Sequence, residues 1–403
     1  MADKRQRHQN QTEQRMIPAA VFVVGFLFVA GLGYIGGTFH SQLASALASA
    51  LGAKVYTGSL DVSSLQETYQ TLKANFDGDL DDQALIEGAH RGLVEAAGDE
   101  YTVFLNAEES AAFNNDLNGS IGGGIGVEVN IRNGVPTAIR VLPDNPAAKA
   151  GVLAGDIILA VNGEDASGWT VDTVVSKIRG EIGTTVKLDI QRGETALSFT
   201  ITRAEVNNPS VYSSVDNGVG ILTISRFDDR TGGLARQAAR TFKEKNVRAV
   251  ILDLRGNGGG YLTAAQDVAG IWLNNQVVVT ERSNGRVVDE LKSSSSPILN
   301  GVRTIVLVDA STASASEIVA GALQEYGAAD LVGEKTFGKG SVQQLIELPE
   351  GAQLKVTVAR WYTPKGKNIS ETGIVPATVV ERSTDDINAG RDPQLDAAKE
   401  ALR

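Results

Sequence analysis

The sequence contains no cysteine and only three histidines among its 403 residues. The absence of cysteine excludes a thiol nucleophile, disulfides and Cys-ligated metals. The histidines are His8, His40 and His90, so about three hundred residues after them contain none. A Ser-His-Asp site built within that stretch is therefore excluded, and a His-rich metal site is not expected. Any hydrolase in this part of the chain must use a base other than histidine, and we expect no metal and no cofactor.

Clusters of basic residues are also lacking after the N-terminus. The chain has 37 basic and 48 acidic residues, a net charge of −11, and no Lys/Arg-rich run after its first residues. A nucleic-acid partner is therefore not expected. The composition, 42% hydrophobic and 21% charged, is that of a folded globular chain. Its length indicates about two or three domains.

The N-terminus predicts a membrane anchor. The charged residues of positions 1–15 are Lys4, Arg5, Arg7 and Arg15 against Asp3 and Glu13. This basic tail is followed at 16–37 by an uncharged apolar run that is long enough to cross a bilayer. Basic residues before the run and an acidic chain after it place 1–15 in the cytoplasm and the bulk outside, as a single-pass protein of the cytoplasmic membrane.

A cleaved signal peptide is the alternative interpretation of the same segment. The small-residue triplets Ala44-Ser45-Ala46 and Ala46-Leu47-Ala48 resemble cleavage sites. The apolar run is longer than a usual signal-peptide core, and both triplets lie far beyond its end. We therefore favour an uncleaved anchor followed by a stalk at 38–58.

Apolar residues at helical spacing predict a small helical region at 59–118. The two sets are Leu65, Tyr69, Leu72 and Phe76, then Leu85, Ala89 and Leu93. His90 falls in the second helix, where we expect a structural or surface role. Nothing in this segment indicates catalysis. A further helical tail is predicted at 383–403.

Residues 119–205 differ in composition and pattern, because they are rich in glycine and contain short stretches of alternating apolar and polar residues typical of strands. A glycine loop at 122–126 enters a short strand, and the stretch DNPAAKAG-x-x-x-GD-x-I-x-x-VNG follows. This arrangement resembles a PDZ domain, mainly β with helices. Such a loop can present free N–H groups to a chain-terminal carboxylate while the adjoining strand edge pairs with the peptide.

The predicted peptide-binding residues of this domain are Gly123, Gly124, Ile125 and Gly126. The structural alternative is a loop that serves only as a sharp turn. Arg179, at the end of a predicted helix in the same domain, is a candidate for relaying peptide occupancy to another site.

Residues 206–382 alternate buried strands with helices and predict an α/β domain with crossover connections. Apolar strands at 250–254 and 304–308 run into glycine-rich and Ser/Thr-rich turns. Open α/β sheets hold their sites at such strand ends. Three segments, DLRGNGGG at 253–260, STASASEIVAGAL at 311–323 and GEKTFGKGSVQ at 333–343, together resemble the carboxyl-terminal processing peptidases.

That family consists of PDZ-containing serine peptidases with a Ser-Lys catalytic pair and a crotonase-like α/β core. The resemblance implies Ser314 as the nucleophile, Lys339 as the general base and Gln343 as its orienting partner. It implies backbone oxyanion donors at Gly259 and Ala315. Many members have proline where this chain has Gly258, which leaves the choice among the three loop glycines open.

Each of these residues also has a purely structural interpretation. Ser314 and Glu317 form an S-x-x-E capping box, and in the structural interpretation its whole role is to begin the following helix. Lys339 alone would be a surface lysine. The run from Gly333 to Lys339 also matches the phosphate-binding pattern G-x-x-x-x-G-K, but Gly340 replaces the Ser or Thr that would ligate magnesium. Nucleotide binding is therefore not expected, and only the joint occurrence of the three segments favours catalysis.

A lysine base must lose its proton near neutral pH, which sets expectations for its surroundings. At the reference pKa of about 10.4, only about four in ten thousand lysines are neutral at pH 7. We expect Lys339 to be buried, with Glu317 and Glu334 pointing away from it. Since four residues of extended strand span about 13 Å, we also expect a tight turn at 339–343 in the active state.

The sequence therefore predicts a membrane-anchored extracytoplasmic serine endopeptidase that recognises C-terminal tails and cleaves through an acyl-enzyme. Two alternatives stay open: a catalytically inactive PDZ adaptor, and a peptidase homologue that acts on a non-protein acyl substrate. The expected partners are protein substrates with free C-terminal tails. The resemblance also admits self-association through the helices at 60–118 and 392–402, and an activating partner of unknown identity.

Overall fold

A computed structural model of the chain describes residues 60–120, 122–132, 134–294 and 296–403. The predicted basic tail at 1–15, the anchor at 16–37 and most of the stalk at 38–58 lie outside the described residues. Among the helices that are described, none combines the length and the apolar character needed to cross a bilayer. The chain divides into two compact units, one up to Asp82 and one from Gln83 onward.

The described part of the first unit is mainly one helix, Ser63–Asn75 (α1). It ends at Phe76, whose N–H donates to the carbonyl of Leu72. Lys73 forms an ion pair of 2.8 Å with Asp82. The predicted helix is therefore present, and none of its residues is buried.

The segment before the PDZ domain is not purely helical. Besides Asp82–Glu95 (α2) and Ala107–Asn118 (α3) it contains a short strand, Val103–Leu105 (β1). Asn106 caps α3 in a reciprocal bond with Glu109. The His90 ring stacks on Phe104 of β1 with centroids 4.7 Å apart, which confirms its structural role.

A six-stranded antiparallel sheet with its own apolar core makes up most of the PDZ domain. Five strands form its main path, Val127–Arg132 (β3), Val135–Val141 (β4), Ile157–Val161 (β5), Thr185–Arg192 (β7) and Thr195–Thr202 (β8), in spatial order β3-β4-β5-β7-β8. The smaller elements are the strands Gly123–Gly124 (β2), Glu164–Asp165 (β6) and Ala204–Glu205 (β9) and the helices Pro146–Ala150 (α4) and Val171–Ile178 (α5). The short strand β6 pairs with β5 as the sixth strand of the sheet. Asn162 and Gly163 both have positive φ in the β5–β6 turn, as Asn-Gly hairpins require.

The first sheet of the peptidase core is mostly parallel. Its strands are Val211–Asp216 (β10), Val219–Ile224 (β11), Ala249–Asp253 (β12), Arg303–Val308 (β15), Asp330–Gly333 (β16) and Thr378–Val379 (β19), in spatial order β10-β11-β12-β15-β16-β19. Only the β10–β11 pair is antiparallel. Its helices are Thr231–Glu244 (α6), Leu262–Ala269 (α7), Ala315–Glu325 (α8), Thr384–Asn388 (α9) and Pro393–Ala401 (α10).

A second, antiparallel sheet completes the core and includes a strand from the segment before the PDZ domain. Its strands are Val277–Ser283 (β13), Arg286–Lys292 (β14), Ser341–Glu347 (β17) and Gln353–Tyr362 (β18), in spatial order β1-β18-β13-β14 with β17 on β18. Val103 of β1 pairs with Lys355 of β18. The chain before the PDZ domain therefore contributes directly to the sheet that carries the end of the predicted catalytic segment.

Candidate active site

Ser314 lies between β15 and α8, one residue before the helix begins. Its backbone has φ 55° and ψ −118°, a conformation that residues other than glycine rarely adopt. Gly259 leaves the space beside it, because a Cβ on Gly259 would lie 2.8 Å from the Cβ of Ser314. The strand, turn and helix thus hold the hydroxyl at the N-terminus of α8, at the carboxyl edge of the parallel sheet.

A cavity of about 640 Å³ opens at this edge of the sheet. All five residues that the sequence predicted for catalysis line it: Ser314, Lys339, Gln343, Gly259 and Ala315. The fold therefore brings together three segments that are far apart in the chain. Between the described atoms of this conformation, the Ser314 hydroxyl and the Lys339 amine share no hydrogen bond.

The two predicted oxyanion donors differ in availability. The Ala315 N–H, in the first turn of α8, has no acceptor among the described residues, and a helix N-terminus favours negative charge. The Gly259 N–H instead donates to Oδ1 of Asn257 at 2.9 Å. Gly258 and Gly260 line the same cavity. In this conformation only Ala315 of the predicted pair offers a free donor.

Lys339 is half-buried beside the cavity and lacks an acidic partner at its amine. No Asp or Glu in the described ranges forms an ion pair with its Nζ, which lies 5.4 Å from the ring centroid of Tyr101. Burial and the nearby Lys355 ammonium lower the pKa of Lys339 below its ordinary value, and the negative charge of Glu317 opposes them. The surroundings therefore favour the neutral amine, as a lysine base requires.

The prediction that Glu317 points away from Lys339 is wrong. Its fully buried carboxylate accepts from the N–H groups of Ser314 (2.9 Å), Lys339 (3.0 Å) and Gly338 (2.8 Å), and from the Thr336 hydroxyl (2.5 Å). Burial raises the pKa of Glu317, and these four donors act against that rise. The same carboxylate therefore joins the backbones of the predicted nucleophile and base.

Glu334, the other acid near Lys339 in sequence, does point away. Its Oε1 accepts from the Arg382 N–H and from the Gln394 side chain, both at 3.2 Å. Because Glu317 contacts only the backbone of Lys339, neither acid forms an ion pair with the amine.

The expected tight turn at 339–343 is absent. The chain is irregular at Lys339 and Gly340 and enters β17 at Ser341, with a register shift between Val342 and Gln343. Antiparallel pairing with β18 holds this segment extended. The turn that the sequence predicts for the active state is therefore not formed in this conformation.

Sequence reasoning missed a contribution from Asp99–Thr102. Tyr101 covers the Lys339 amine, and Asp99 accepts from the hydroxyls of Thr102 and Thr357. More than two hundred residues separate Tyr101 from Lys339, so no local pattern could have joined them. Only the pairing of β1 with β18 brings the two segments together.

The PDZ domain has a groove of about 350 Å³ between its glycine loop, β3 and α5. Gly124, Ile125 and Gly126 line it, and so does Arg179. The N–H groups of Ile125 and Gly126 donate to no acceptor in the described part of the chain, which leaves them free for a carboxylate. Gly123 is instead paired with Glu205 of β9 and does not line the groove.

The site combines a strained serine at a helix N-terminus with a lysine in the same cavity whose surroundings favour the neutral amine. Together with the PDZ groove, this combination defines a serine-type peptidase with a peptide-binding domain. Models of two families match the chain: peptidase family S41 over residues 218–380 and a PDZ domain over 138–192. The chain belongs to peptidase family S41 and to its carboxy-terminal processing proteases, which are serine-type peptidases.

Named relatives agree with this assignment. The carboxy-terminal processing protease CtpB of Bacillus subtilis is 31% identical over 385 residues, which cover 92% of this chain and 79% of CtpB. A protein of Staphylococcus haemolyticus named "Probable CtpA-like serine protease" is 33% identical over 79% of this chain, which spans 65% of that protein. The solved structure of a photosystem II D1 C-terminal processing protease has a TM-score of 0.51 at 28% identity, covering 80% of this chain and 87% of that one.

Proposed function

We propose that the chain is an endopeptidase that cuts protein substrates near their C-termini through an ester on Ser314. The neutral Lys339 amine takes the hydroxyl proton as Oγ bonds to the carbonyl carbon, and the Ala315 N–H stabilises the oxyanion. The amine then returns the proton to the leaving nitrogen, and water hydrolyses the ester. The observation that carries the proposal is the shared cavity, which is lined by the strained serine and by a lysine whose amine forms no ion pair with any described residue.

The PDZ groove supplies tail recognition in this proposal. A substrate carboxylate accepts from the free N–H groups of Ile125 and Gly126, and the tail pairs with the edge of β3. Anchoring the tail raises the effective concentration of the upstream chain at Ser314. Arg179 lines the groove and is a candidate for relaying its occupancy to the active site.

The proposed location is the outer face of the cytoplasmic membrane. The basic tail at 1–15 and the uncharged run at 16–37 support a single anchoring helix. We expect the full chain to sediment with membranes and to be degraded by protease added to spheroplasts, while a chain that starts at Leu60 stays in the soluble fraction. Recovery of the full-length chain in the soluble fraction, or its protection from added protease, contradicts this location.

Cleavage of an unstructured protein substrate tests the peptidase proposal. Wild-type enzyme and Ser314→Ala are each incubated with the substrate as its free acid and as its C-terminal amide, and the new C-termini are mapped by mass spectrometry. Amidation removes the charge that the loop binds. We expect Ser314-dependent cleavage near the C-terminus, with kcat/KM about tenfold or more lower for the amide because one charge-assisted contact contributes about 1.5–3 kcal/mol.

The other outcomes separate the alternatives. Equal binding and cleavage of the two substrates would mean that the tail carboxylate is not recognised. Tail binding without serine-dependent cleavage would indicate an inactive PDZ adaptor. Serine-dependent hydrolysis of small acyl esters, with no polypeptide cut, would indicate a non-protein acyl substrate.

A further inference from the structure

Gln343 is held in the cavity by both hydrogens of its amide. Its Nε2 donates to the Ser341 hydroxyl at 2.8 Å and to the Thr357 hydroxyl at 3.3 Å. Oε1 has no donor among the residues that the structure describes. Gln343 and Lys339 line the same cavity.

The Thr357 hydroxyl that this amide contacts is in turn bonded to the Asp99 carboxylate. Asp99 Oδ2 accepts from Thr357 at 2.6 Å and from Thr102 at 2.5 Å. Burial acts to raise the pKa of Asp99, but these hydroxyls and the Tyr101 N–H lower it below its ordinary value, so the group is an acceptor-only carboxylate.

The Thr357 hydroxyl bonds both Asp99 and Gln343, so its bond to Asp99 determines which amide atom of Gln343 can face it. A threonine hydroxyl has a single proton, and Thr357 donates its proton to Asp99. The Thr357 oxygen can only accept from its other neighbour, so the amide atom that faces it must be the donor, Nε2. Thr102 holds the same arrangement in place, because its hydroxyl accepts from the Thr357 N–H at 3.1 Å.

We infer that Asp99, acting through Thr357, is a positioning residue that fixes the Gln343 amide with Oε1 toward the cavity as an acceptor for the Lys339 amine. This inference rests on the proposed Ser-Lys mechanism. When Gln343 Oε1 accepts an N–H of the neutral Lys339 amine, the lone pair of that amine is turned toward Ser314. A reversed amide would instead donate to that lone pair and keep it from the serine proton.

The reversed amide has a distinct effect on pH dependence. An acceptor stabilises the ammonium form, whereas a donor stabilises the neutral form, so reversal lowers the pKa of Lys339. The other groups facing Lys339 are Glu317 from α8, Lys355 from β18 and the Tyr101 ring, and Asp116 and Arg226 line the same cavity. Thr357→Val removes the relay without changing any of these charges.

The test compares Thr357→Val with Thr357→Ser, which keeps the hydroxyl. We expect Thr357→Val to lower kcat about tenfold or more with KM little changed, since misplaced catalytic groups act on the chemical step. We also expect the acid limb of its pH–rate profile to move to lower pH, with Thr357→Ser restoring both. A packing role alone would lower the thermal midpoint without moving the acid limb. Wild-type kcat and an unmoved acid limb in Thr357→Val would overturn the inference.

A second variant and a second readout decide the remaining cases. If Thr357→Val fails to fold, Asp99→Asn replaces it, because an asparagine amide can donate to Thr357 and so reverse the relay at constant shape. Since this change also removes a negative charge beside Lys355, its readout is the amide exchange that follows and not the acid limb. Proton exchange of the Gln343 side-chain amide, followed by NMR, needs no cleavage. Slow exchange in the wild type and fast exchange in the variant support the relay, and equal exchange rates refute it. If the wild type itself cleaves no substrate, the proposed function is contradicted, and the amide exchange of Gln343 still tests the relay.

Discussion

Replacing Lys339 by arginine is expected to abolish cleavage while leaving tail binding at the PDZ groove unchanged. Arginine keeps the positive charge and much of the length, but it does not deprotonate in proteins and so cannot accept the Ser314 proton. Lys339→Ala should be equally inactive. Steady-state cleavage and binding of a free-acid tail peptide measure the two properties separately. Turnover of Lys339→Arg near the wild-type rate would rule out a lysine base.

The pH dependence of the wild type follows from the same residue. Only the neutral amine is active, so the rate should rise with pH through the depressed pKa of Lys339, at a midpoint below 10.5. Lys355→Met removes one cause of that depression and should move the acid limb to higher pH, whereas Lys355→Arg keeps the charge and should leave it in place. For stability the sign is also fixed. A pKa lower in the folded than in the unfolded state means that stability rises with pH between the two values.

The second large effect is expected for Glu317→Gln. Each carboxylate oxygen accepts from two donors, and an amide provides only one acceptor oxygen, so two of the four donors would face an NH₂ group. Because those donors include the N–H groups of Ser314 and Lys339, we expect kcat to fall about a hundredfold or more, in line with a displacement of about 1 Å at the reacting groups. A buried donor left unpaired should also destabilise the fold by about 1–3 kcal/mol.

Glu334→Gln is the matched control for this variant. The substitution makes the same change of charge at a residue that directly follows β16, and the contacts of Glu334 are with Arg382 and Gln394. We expect its kcat to stay within about twofold of wild type, because its carboxylate binds neither the Ser314 nor the Lys339 backbone. Thermal unfolding separates lost activity from lost folding. Equal kcat values for the two variants would show that the Glu317 carboxylate does not position the site.

The parts of the fold with local signals could be predicted from the sequence. The S-x-x-E pattern correctly marked the start of α8, and the Asn162-Gly163 pair is the local sequence signal of the hairpin turn between β5 and β6. Apolar and polar residues alternate over Gln353–Ala359, as is typical of a strand, and these residues form most of β18. In each case the physical determinant lies within a few residues of the feature.

The errors concern contacts between distant segments. The S-x-x-E pattern could not show that the Glu317 carboxylate also binds the backbones of Gly338 and Lys339. The tight turn from Lys339 to Gln343 was expected of the active state, and the sequence could not show that pairing with β18 holds this segment extended in the present conformation. Asp99 and Tyr101 carry no catalytic signal of their own. Their position beside the site depends on β1 joining a sheet from the far end of the chain.

The backbone of Ser314 has a consequence for how this chain could change over evolutionary time. A non-glycine residue in its conformation costs of order 1–3 kcal/mol, which is a sizeable part of the stability of a domain. A glycine there would relieve that strain, so a descendant released from selection for catalysis would gain stability by losing its nucleophile. A serine in this strained conformation is what selection on catalysis would produce, and it is not what drift in a pure binding protein would favour.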